Sequence, residues 1–365
     1  MKTVCAVNEC CGCMLCSNVC GKQAVTVQAG ASAYNAVIDE TKCVHCNLCH
    51  QTCPQNEDRP KVKPLEWYQG WAEDPAIRQA GSSGGLATAI ALAFVREGGC
   101  CVSCTFAGGR FVFRKADNEK DVLLFRGSKY VKSNPEQAYQ LVKEEIGKHR
   151  KVLFIGLPCQ VAGMKAFAGS KGAEYLYTID LICHGSPSPE VLRGFLRENR
   201  IDLSAVTEIT FRKKTRFLVS TNNRPVTRSG GRDLFMAAFL KKLIYTDNCY
   251  QCKYATLERC ADLTLGDSWG SELPQEETTK GVSLVLCQTE KGRSLLNRQD
   301  LHLESVDLDK AVAANTNLSR PSTAPAGREL FFKTLREKNS YQKAFRKVYP
   351  KLYFRYKLKE LIRRA

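Results

Sequence analysis

The chain has 365 residues, 19 cysteines and a formal net charge of +17, and 44% of its residues are hydrophobic. Its longest apolar run, residues 86–95, is too short to span a bilayer, which excludes a membrane-spanning segment. The first ten residues, MKTVCAVNEC, lack the apolar region of a secretion signal. We therefore expect a cytoplasmic protein, in which this many cysteines indicate metal or redox chemistry rather than disulfide bonds.

The first predicted element is a cysteine motif that occurs twice. Four cysteines with the spacing C-x2-C-x2-C-x3-C lie at residues 10–20, and the same spacing returns 33 residues later at residues 43–53. Bacterial ferredoxins use this spacing for two [4Fe–4S] clusters, because three cysteines of a run hold one cluster and the fourth reaches the other. We therefore predict a two-cluster ferredoxin module over residues 1–60, with AVTV and NAVID as a pair of strands between the runs.

The crossed arrangement divides the cysteines of the repeat into two sets. The first thiol set is Cys10, Cys13, Cys16 and Cys53, and the second thiol set is Cys43, Cys46, Cys49 and Cys20. Two zinc sites are the alternative, but zinc ribbons use two C-x2-C pairs per site and leave the other cysteines of each run unexplained. The first run departs from the ferredoxin pattern at Gly21, which stands where that pattern has proline. Cys5 and Cys11 lie outside the repeat, and we do not expect them to be ligands.

Beyond a linker, NEDRPKVKPLEW, the pattern predicts alternating strands and helices. The apolar segment LATAIALAFV predicts a buried helix that ends at Gly98-Gly99, and VSCTF with RFVFRKA predicts a hairpin. Two strands, VLFIGLPC and YLYTIDLICHG, are each followed by a helical segment, which favours parallel pairing. The later segments ITFRKK, LTLGD and VSLVLC add strands. The predicted fold class is therefore α+β or α/β, with the ferredoxin module followed by a mixed-sheet domain.

The glycine-rich loop GSSGG precedes the first of these helices. A loop at a helix N-terminus can direct backbone N–H groups and the positive end of the helix dipole towards a phosphate. The sequence is not the dinucleotide fingerprint G-x-G-x-x-G, and many such loops are only tight turns. The loop alone therefore leaves phosphate binding open.

A third group of cysteines lies in the second half of the chain. Cys249 and Cys252 form a C-x2-C pair, while Cys159 and Cys183 each stand at the carboxyl end of a predicted strand. Because the carboxyl ends of parallel strands meet at one edge of a sheet, four cysteines that converge there would form another metal site. Cys260 is a rival for the fourth position. Four further cysteines are expected to be small buried side chains: Cys100, Cys101, Cys104 and Cys287.

The remaining motifs occur in a fixed order between about residues 66 and 335. They are GSSGGLATAIA, RGSKYVKS, GLPCQVAGMKAF, DLICHGSPSPEV, CYQCKY followed by ADLTLGDSWG, and SRPS before GRELFF. Together they resemble the coenzyme F-420 hydrogenase/dehydrogenase beta-subunit family, in which many bacterial members carry a ferredoxin repeat in front. Some relatives reduce or oxidise the deazaflavin and others pass electrons from ferredoxin to unrelated substrates, so the resemblance does not fix the substrate.

The resemblance implies a flavoprotein, usually with FAD, and one [4Fe–4S] cluster inside a flavin domain. That domain would span residues 66–325, with halves at 66–150 and 151–325. The ligands implied for its cluster, here called the third thiol set, are Cys159, Cys183, Cys249 and Cys252. The residues implied to line the flavin and its phosphates are Gly81, Ser82, Ser83, Gly84, Gly85, Ser128, Lys129 and Tyr130. Lys129 would be suited to act as a cationic neighbour that stabilises the reduced, anionic flavin.

The final segment, residues 326–365, is strongly basic. Residues 328–364 contain 13 Lys and Arg against 3 Asp and Glu, and Pro350 interrupts the helical pattern. We predict a basic helical tail with a solvated or partner-binding surface in preference to peripheral contact with a membrane. The basic balance suits an acidic electron donor such as ferredoxin, and no recognition motif supports nucleic-acid binding.

These features predict a converter between single electrons and hydride-like pairs, because each cluster carries one electron whereas a flavin accepts one or two. We expect a cytoplasmic flavin-dependent iron–sulfur oxidoreductase that takes electrons from a ferredoxin-like donor through [4Fe–4S] clusters to a flavin. The flavin would reduce, or in the reverse direction oxidise, a small molecule. The alternative is an electron-transfer subunit of a larger complex with no substrate of its own.

Overall fold

The computed structural model describes residues 2–227 and 232–362. The strands of these residues are β1 (Val25–Ala29), β2 (Tyr34–Ile38), β3 (Glu66–Ala72), β4 (Cys100–Ala107), β5 (Arg110–Ala116), β6 (Val152–Gly156), β7 (Leu176–Leu181), β8 (Ile209–Lys213), β9 (Arg216–Thr221), β10 (Arg224–Pro225), β11 (Leu263–Asp267), β12 (Ser283–Cys287) and β13 (Leu301–Glu304). The helices are α1 (Leu15–Val19), α2 (Leu48–Gln51), α3 (Pro75–Ala80), α4 (Leu86–Arg96), α5 (Glu119–Val122), α6 (Glu136–Gly147), α7 (Pro158–Gly172), α8 (Pro189–Glu198), α9 (Leu234–Leu240), α10 (Gln275–Lys280), α11 (Glu290–Leu296), α12 (Leu308–Ala314), α13 (Arg328–Lys338), α14 (Tyr341–Val348) and α15 (Pro350–Ile362).

The ferredoxin module contains a two-stranded antiparallel sheet between two short helices. Strands β1 and β2 pair with Val25 opposite Ile38, which confirms the predicted strand pair. Four of the buried apolar residues in its core are cysteines, and they pack with Val4, Val25, Tyr34 and Ala36. A core with so few aliphatic side chains depends on what the thiols bind, because metal binding then contributes directly to folding.

The large sheet has eight strands in the order β13-β3-β12-β11-β7-β6-β4-β5. Strands β4, β6, β7 and β11 are parallel, whereas the other pairings are antiparallel, so the predicted mixed sheet is confirmed. The sequence does not reveal β3, because EWYQGWA mixes polar residues and glycine with its aromatics. This strand nevertheless lies inside the sheet, between β12 and β13.

The predicted strand–helix units place the segments that follow β6 and β7 at the carboxyl edge of the parallel strands. Strand β6 leads into α7 and β7 is followed by α8, and the two strands pair in parallel. Helix α4 begins at Leu86, directly after Gly85 with a φ of 85°, and most of its side chains are buried. The positive φ explains the glycine at this position, since residues with a Cβ rarely adopt it.

The ferredoxin module packs directly against the domain that contains the large sheet. Met14 and Leu15 are buried among side chains of α6 and α7, and the Tyr139 hydroxyl donates to the carbonyl oxygen of Cys13 at 2.6 Å. The predicted linker is also fixed to the core, because Val62 exchanges two backbone hydrogen bonds with Arg259. The module is therefore held through its first cysteine run and through the linker that follows it.

The C-terminal tail is packed more closely than its charge suggests. Phe331, Tyr341 and Phe345, from α13 and α14, are fully buried in a hydrophobic core, so the expectation of a solvated tail is wrong for these two helices. Their apolar residues form one stripe on each helix, which the high content of basic residues conceals. Helix α15 begins at Pro350, as predicted, and leaves Phe354 and Leu358 60% and 57% exposed. Residues 363–365 lie outside the described range.

No helix in the described part of the chain has the length and apolar content that a membrane span requires.

Arg328 at the start of α13 ties three parts of the molecule together. Its guanidinium forms an ion pair with Asp247 at 2.7 Å and donates to the carbonyl oxygens of Tyr245 and Ser32. Ser32 belongs to the ferredoxin module, and residues 245–247 precede the Cys249–Cys252 pair. The Arg328 side chain is only 11% exposed, so little water can replace these partners.

We expect Arg328→Gln to lower the free energy of unfolding by about 3 kcal/mol, because it leaves a partly buried carboxylate and two carbonyl groups without their donor. Urea unfolding without oxygen, followed by tryptophan fluorescence, measures this loss. The matched control is Arg193→Gln, which removes the exposed ion pair with Glu190 and should cost less than about 1 kcal/mol. Equal losses in the two variants would contradict the assigned role of Arg328.

Candidate metal centres and cofactor cavity

The first thiol set lines one small cavity in the ferredoxin module. Cys53, from the second run, lies there with the three cysteines of the first run. Burial raises the pKa of the Cys16 thiol, and the neighbouring thiols of Cys10 and Cys53 raise it further. The crossed arrangement that the spacing predicts therefore agrees with the geometry. Cys5 and Cys11 also line this cavity, although neither belongs to the repeat.

The second thiol set lies at the surface of the same module. Burial raises the pKa of the Cys49 thiol, and the neighbouring thiols of Cys20, Cys46 and Cys43 raise it further. Cys20 therefore lies with the cysteines of the second run. Cys46 is exposed and the other three thiols are partly exposed. The two sets thus differ in environment, since all four members of the first set are buried.

The third thiol set lines a cavity at the carboxyl edge of the large sheet. Cys159 lies in the first turn of α7, and Cys183 follows β7 by two residues. Cys249 lies on a 3-10 turn, where its Sγ accepts a hydrogen bond from the Ser186 backbone N–H at 3.4 Å. Cys252 completes the lining.

Two other cysteines bear on this cavity: Cys260, the rival for the fourth position, and Cys11, which we do not expect to be a ligand. Cys260 is not among the residues that line it, and its Sγ instead faces the carbonyl oxygen of Pro158 at 3.9 Å. Cys11 does line the cavity, although it lies in the ferredoxin module. Nothing in the repeat distinguishes Cys11, because its position next to Cys10 becomes meaningful only once the module packs against the sheet domain.

A buried cation provides a test of whether these thiols suit an anionic group. Lys132 lines the cavity of the third thiol set and is 3% exposed. Its ammonium donates to the carbonyl oxygen of Cys11 at 3.0 Å and contacts Oδ1 of Asn248 at 3.4 Å. No carboxylate of the described residues forms an ion pair with it. A buried, unpaired charge is costly, so a cluster on four thiolates, which carries net negative charge, fits this site.

One further group of side chains has the spacing of a metal site. In the described chain, the group of three whose ligand atoms all lie within 4.8 Å of one another is Cys100, Asp117 and Glu145, outside all three thiol sets. The carboxylates of that group already pair with Lys115 and Arg150, so its charge is compensated without a metal.

A larger cavity of 260 Å³ lies beside the third thiol set, at the carboxyl ends of β6, β7 and β11, and is here called the sheet-edge cavity. Seven of the eight predicted cofactor residues line it: Gly81, Ser82, Ser83, Gly85, Ser128, Lys129 and Tyr130. Gly84 does not. Its N–H donates to Ser283 Oγ at 3.0 Å, and a Cβ at this position would lie 2.4 Å from the carbonyl oxygen of Gly70. Gly84 therefore allows the loop to approach the sheet rather than facing the cavity.

The loop and the second predicted segment contact each other at the cavity wall. The Ser128 N–H donates to Ser82 Oγ at 2.8 Å. The Lys129 ammonium donates to the carbonyl oxygens of Phe125 and Arg126, and burial lowers the pKa of Lys129 to about 8. The first turn of α4, which follows the loop, has backbone N–H groups without acceptors inside the helix. These donors and the lysine suit an anionic cofactor.

Other residues of the sheet-edge cavity were not identified from the sequence. Arg212, from β8, forms a bidentate ion pair with Asp267 at 2.6 and 2.8 Å. Cys104 was expected to be merely a small buried side chain, but it is partly exposed and faces the cavity. Arg212 and Asp267 lie 55 residues apart, and no local pattern links them.

The three cavities adjoin one another in series. Cys11 and Gln55 line both the cavity of the first thiol set and that of the third. The cavity of the third set shares a second wall with the sheet-edge cavity: Leu157, Cys183, Gly185 and Ser186. A continuous row of candidate redox sites therefore runs from the first thiol set through the third thiol set to the sheet-edge cavity.

The repeat, the buried thiols and their serial arrangement define an iron–sulfur protein of electron transfer. Residues 36–56 match the 4Fe-4S binding domain. Residues 67–138 and 149–310 match the N-terminal and C-terminal parts of the coenzyme F420 hydrogenase/dehydrogenase beta subunit. The chain belongs to this family, and the resemblance drawn from its motifs is confirmed. It is accordingly an electron-transfer oxidoreductase.

One solved structure similar to this chain comes from the F420-reducing [NiFe] hydrogenase complex of Methanosarcina barkeri. The similarity has a TM-score of 0.50 at 20% identity and covers 71% of this chain and 92% of that one. At this level of identity the likeness concerns the fold. No curated protein matches the chain.

We expect Cys252→Ser to remove about four of twelve iron atoms and the spectroscopic signal of one cluster, because the third thiol set loses a ligand while the ferredoxin module is unchanged. Iron analysis with electron paramagnetic resonance of the reduced protein measures this. Cys260→Ser is the matched control and should retain all the iron, since Cys260 does not line the cavity. Loss of iron in Cys260→Ser but not in Cys252→Ser would show that the fourth ligand is assigned wrongly.

Proposed function

We propose that this chain is a flavin-dependent iron–sulfur oxidoreductase that moves electrons between a one-electron carrier protein and a small molecule. The observation that carries the proposal is the series of shared cavity walls: Cys11 and Gln55 join the first and third thiol sets, and Cys183 joins the third set to the sheet-edge cavity. Such a series is useful only if each site holds a redox group. A reversible chain of this kind supports electron flow in either direction.

The clusters would carry one electron each, and a flavin would convert single electrons into pairs that a hydride acceptor can use. The residues of the chain would hold these groups in position and shield them from solvent. The second thiol set, with the exposed Cys46, is accessible to a docked carrier, whereas all four thiols of the first set and Cys249 of the third are buried. Enclosure limits side reactions with solvent along the inner part of the series.

We propose that the sheet-edge cavity holds FAD. The Gly81–Gly85 loop and the first turn of α4 would receive the phosphates, because free N–H groups at the start of a helix bind anions. Lys129 would place a positive charge beside the cofactor, and the Tyr130 ring packs against Phe239 at 4.6 Å between centroids, which fixes the wall. The choice of FAD over FMN rests on the family resemblance.

The proposed donor is an acidic carrier such as a ferredoxin. Lys42 directly precedes Cys43 of the second thiol set, Arg59 donates to the carbonyl oxygens of Gln51 and Thr52 beside Cys49, and the chain as a whole has a net charge of +17. Lys61 is held at the module's edge by the carbonyl oxygen of Lys253 at 2.9 Å. An acidic partner would be attracted to such a surface and oriented towards the exposed thiols.

A second function has its own support: the chain is an electron-transfer subunit of a larger complex, without a substrate of its own. The similar solved chain belongs to a hydrogenase complex. In addition, α15 exposes Phe354 and Leu358 beside basic residues, a surface that suits another subunit.

Purification without oxygen, followed by analysis of iron and released flavin, tests the proposal. We expect about twelve iron atoms and one FAD per chain, and electron transfer from dithionite-reduced ferredoxin to coenzyme F420 or NAD. About eight iron atoms without flavin would contradict it, because only the ferredoxin module would then hold clusters. Twelve iron atoms and one flavin that reduce neither acceptor, but do so after a partner subunit is added, would favour the second function.

Lys129 predicts a pH dependence of FAD binding. Because burial lowers its pKa to about 8, Lys129 in the free site is protonated below pH 8 and loses its charge above it. An anionic cofactor favours the protonated form, so affinity should be highest below pH 8 and fall by about tenfold by pH 9. Fluorescence titration of the flavin-free protein between pH 7 and 9 measures this.

Two variants of Lys129 are the controls. Lys129→Met should bind FAD more weakly and without a change of affinity over this pH range. Lys129→Arg keeps its charge and should show a similarly flat profile with stronger binding. A fall in affinity that persists in Lys129→Met would mean that another group titrates.

A further inference from the structure

Lys132 is a buried cation that is neither a predicted metal ligand nor part of the wall of the sheet-edge cavity. Among the described residues that line the cavity of the third thiol set, it is the one with a charged side chain. The other lining residues are thiols, neutral polar groups, Leu157, Pro158, Gly185 and Tyr254. The ammonium is therefore the fixed charge in the wall of the cavity that the four thiols line.

The position of this ammonium is fixed from several sides. It donates to the Cys11 carbonyl oxygen and lies 5.3 Å from the centroid of the Tyr34 ring. Its stem packs on the ferredoxin backbone, since a Cβ on Gly12 would come within 3.1 Å of Lys132 Cδ. The backbone of the same residue is also fixed, because the N–H of Lys132 donates to the carbonyl oxygen of Pro187 at 2.8 Å. These contacts hold the Lys132 ammonium in place when a cluster in the cavity gains an electron.

Burial and charge act in opposite directions on a redox group at this site. A reduced cluster carries one more negative charge than its oxidised form, and burial disfavours that extra charge. A cluster shielded from water and without a compensating charge would therefore be harder to reduce than one exposed to solvent. A fixed cation nearby favours the reduced form, and it does so strongly where little water screens it.

We propose that Lys132 sets the reduction potential of the cluster held by the third thiol set, raising it so that this cluster can accept electrons from either neighbouring site. This inference rests on the proposed function, because it requires a cluster at Cys159, Cys183, Cys249 and Cys252. The second thiol set is exposed to solvent and needs no such cation. Lys132 acts through its charge and its position and is not a ligand.

Redox titration followed by electron paramagnetic resonance tests this on the full-length protein with its clusters. Lys132→Met keeps an unbranched side chain only one heavy atom shorter and removes the charge. We expect it to shift the one-electron equilibrium of the third cluster at least tenfold towards the oxidised form, a fall of about 59 mV in midpoint potential. Lys132→Arg should remain near the wild-type potential, and the exposed second cluster should not change in any variant.

The matched control is Lys165→Met. Lys165 also donates to the carbonyl oxygen of a cysteine, Cys260 at 2.8 Å, but it does not line the cavity. This variant should leave all cluster potentials unchanged. The inference is overturned if Lys132→Met and Lys165→Met have the same third-cluster potential, or if Lys132→Arg falls as far as Lys132→Met, since packing rather than charge would then be responsible.

A second variant keeps the test decisive if Lys132→Met assembles poorly. Asn248→Asp leaves Lys132 in place and adds a carboxylate at the position of Oδ1, which lies 3.4 Å from the ammonium. It should lower the same potential in the same direction, and an unchanged potential would overturn the inference. Iron analysis of the wild-type protein separates the two proposals: eight iron atoms refute the proposed function itself, whereas twelve iron atoms with an insensitive potential refute only the role of Lys132.

Discussion

The hydrogen bond from Lys132 to the Cys11 carbonyl oxygen is the contact on which the arrangement of the sites depends. It joins the loop of the first cysteine run to the segment that follows Tyr130 in the sheet domain. Cys11, which accepts this bond, lines both the cavity of the first thiol set and that of the third, so the ferredoxin module is continuous with the sheet edge at this point. The hydrogen bonds from Tyr139 to Cys13 and from Arg328 to Ser32 hold the same boundary on either side.

Much of this architecture is readable from the sequence, because it depends on local spacing. The cysteine repeat, the strand pair β1–β2, helix α4 and the strand–helix units of β6 and β7 all follow from patterns within a few residues. The carboxyl-edge rule for parallel strands also places Cys159 and Cys183 near each other, although they are 24 residues apart in the chain.

The residues that the sequence conceals are those whose role arises from packing between distant segments. No sequence pattern distinguishes Lys132 from the other lysines, because its role depends on burial at the boundary of the ferredoxin module. Cys11 likewise lies outside the cysteine repeat. Strand β3 has no clear alternation, yet both of its edges are paired in the sheet. The tail looks solvated because its basic residues outnumber the aromatics that α13 and α14 bury. In each case the deciding interaction connects residues that no short pattern relates.

The contrast in exposure between the two thiol sets of the ferredoxin module has a consequence for oxidative damage. An oxidant from solvent meets Cys46 first, because this thiol is exposed, whereas the first set is buried. Damage should therefore begin at the outermost site and spread inwards only as the module loosens.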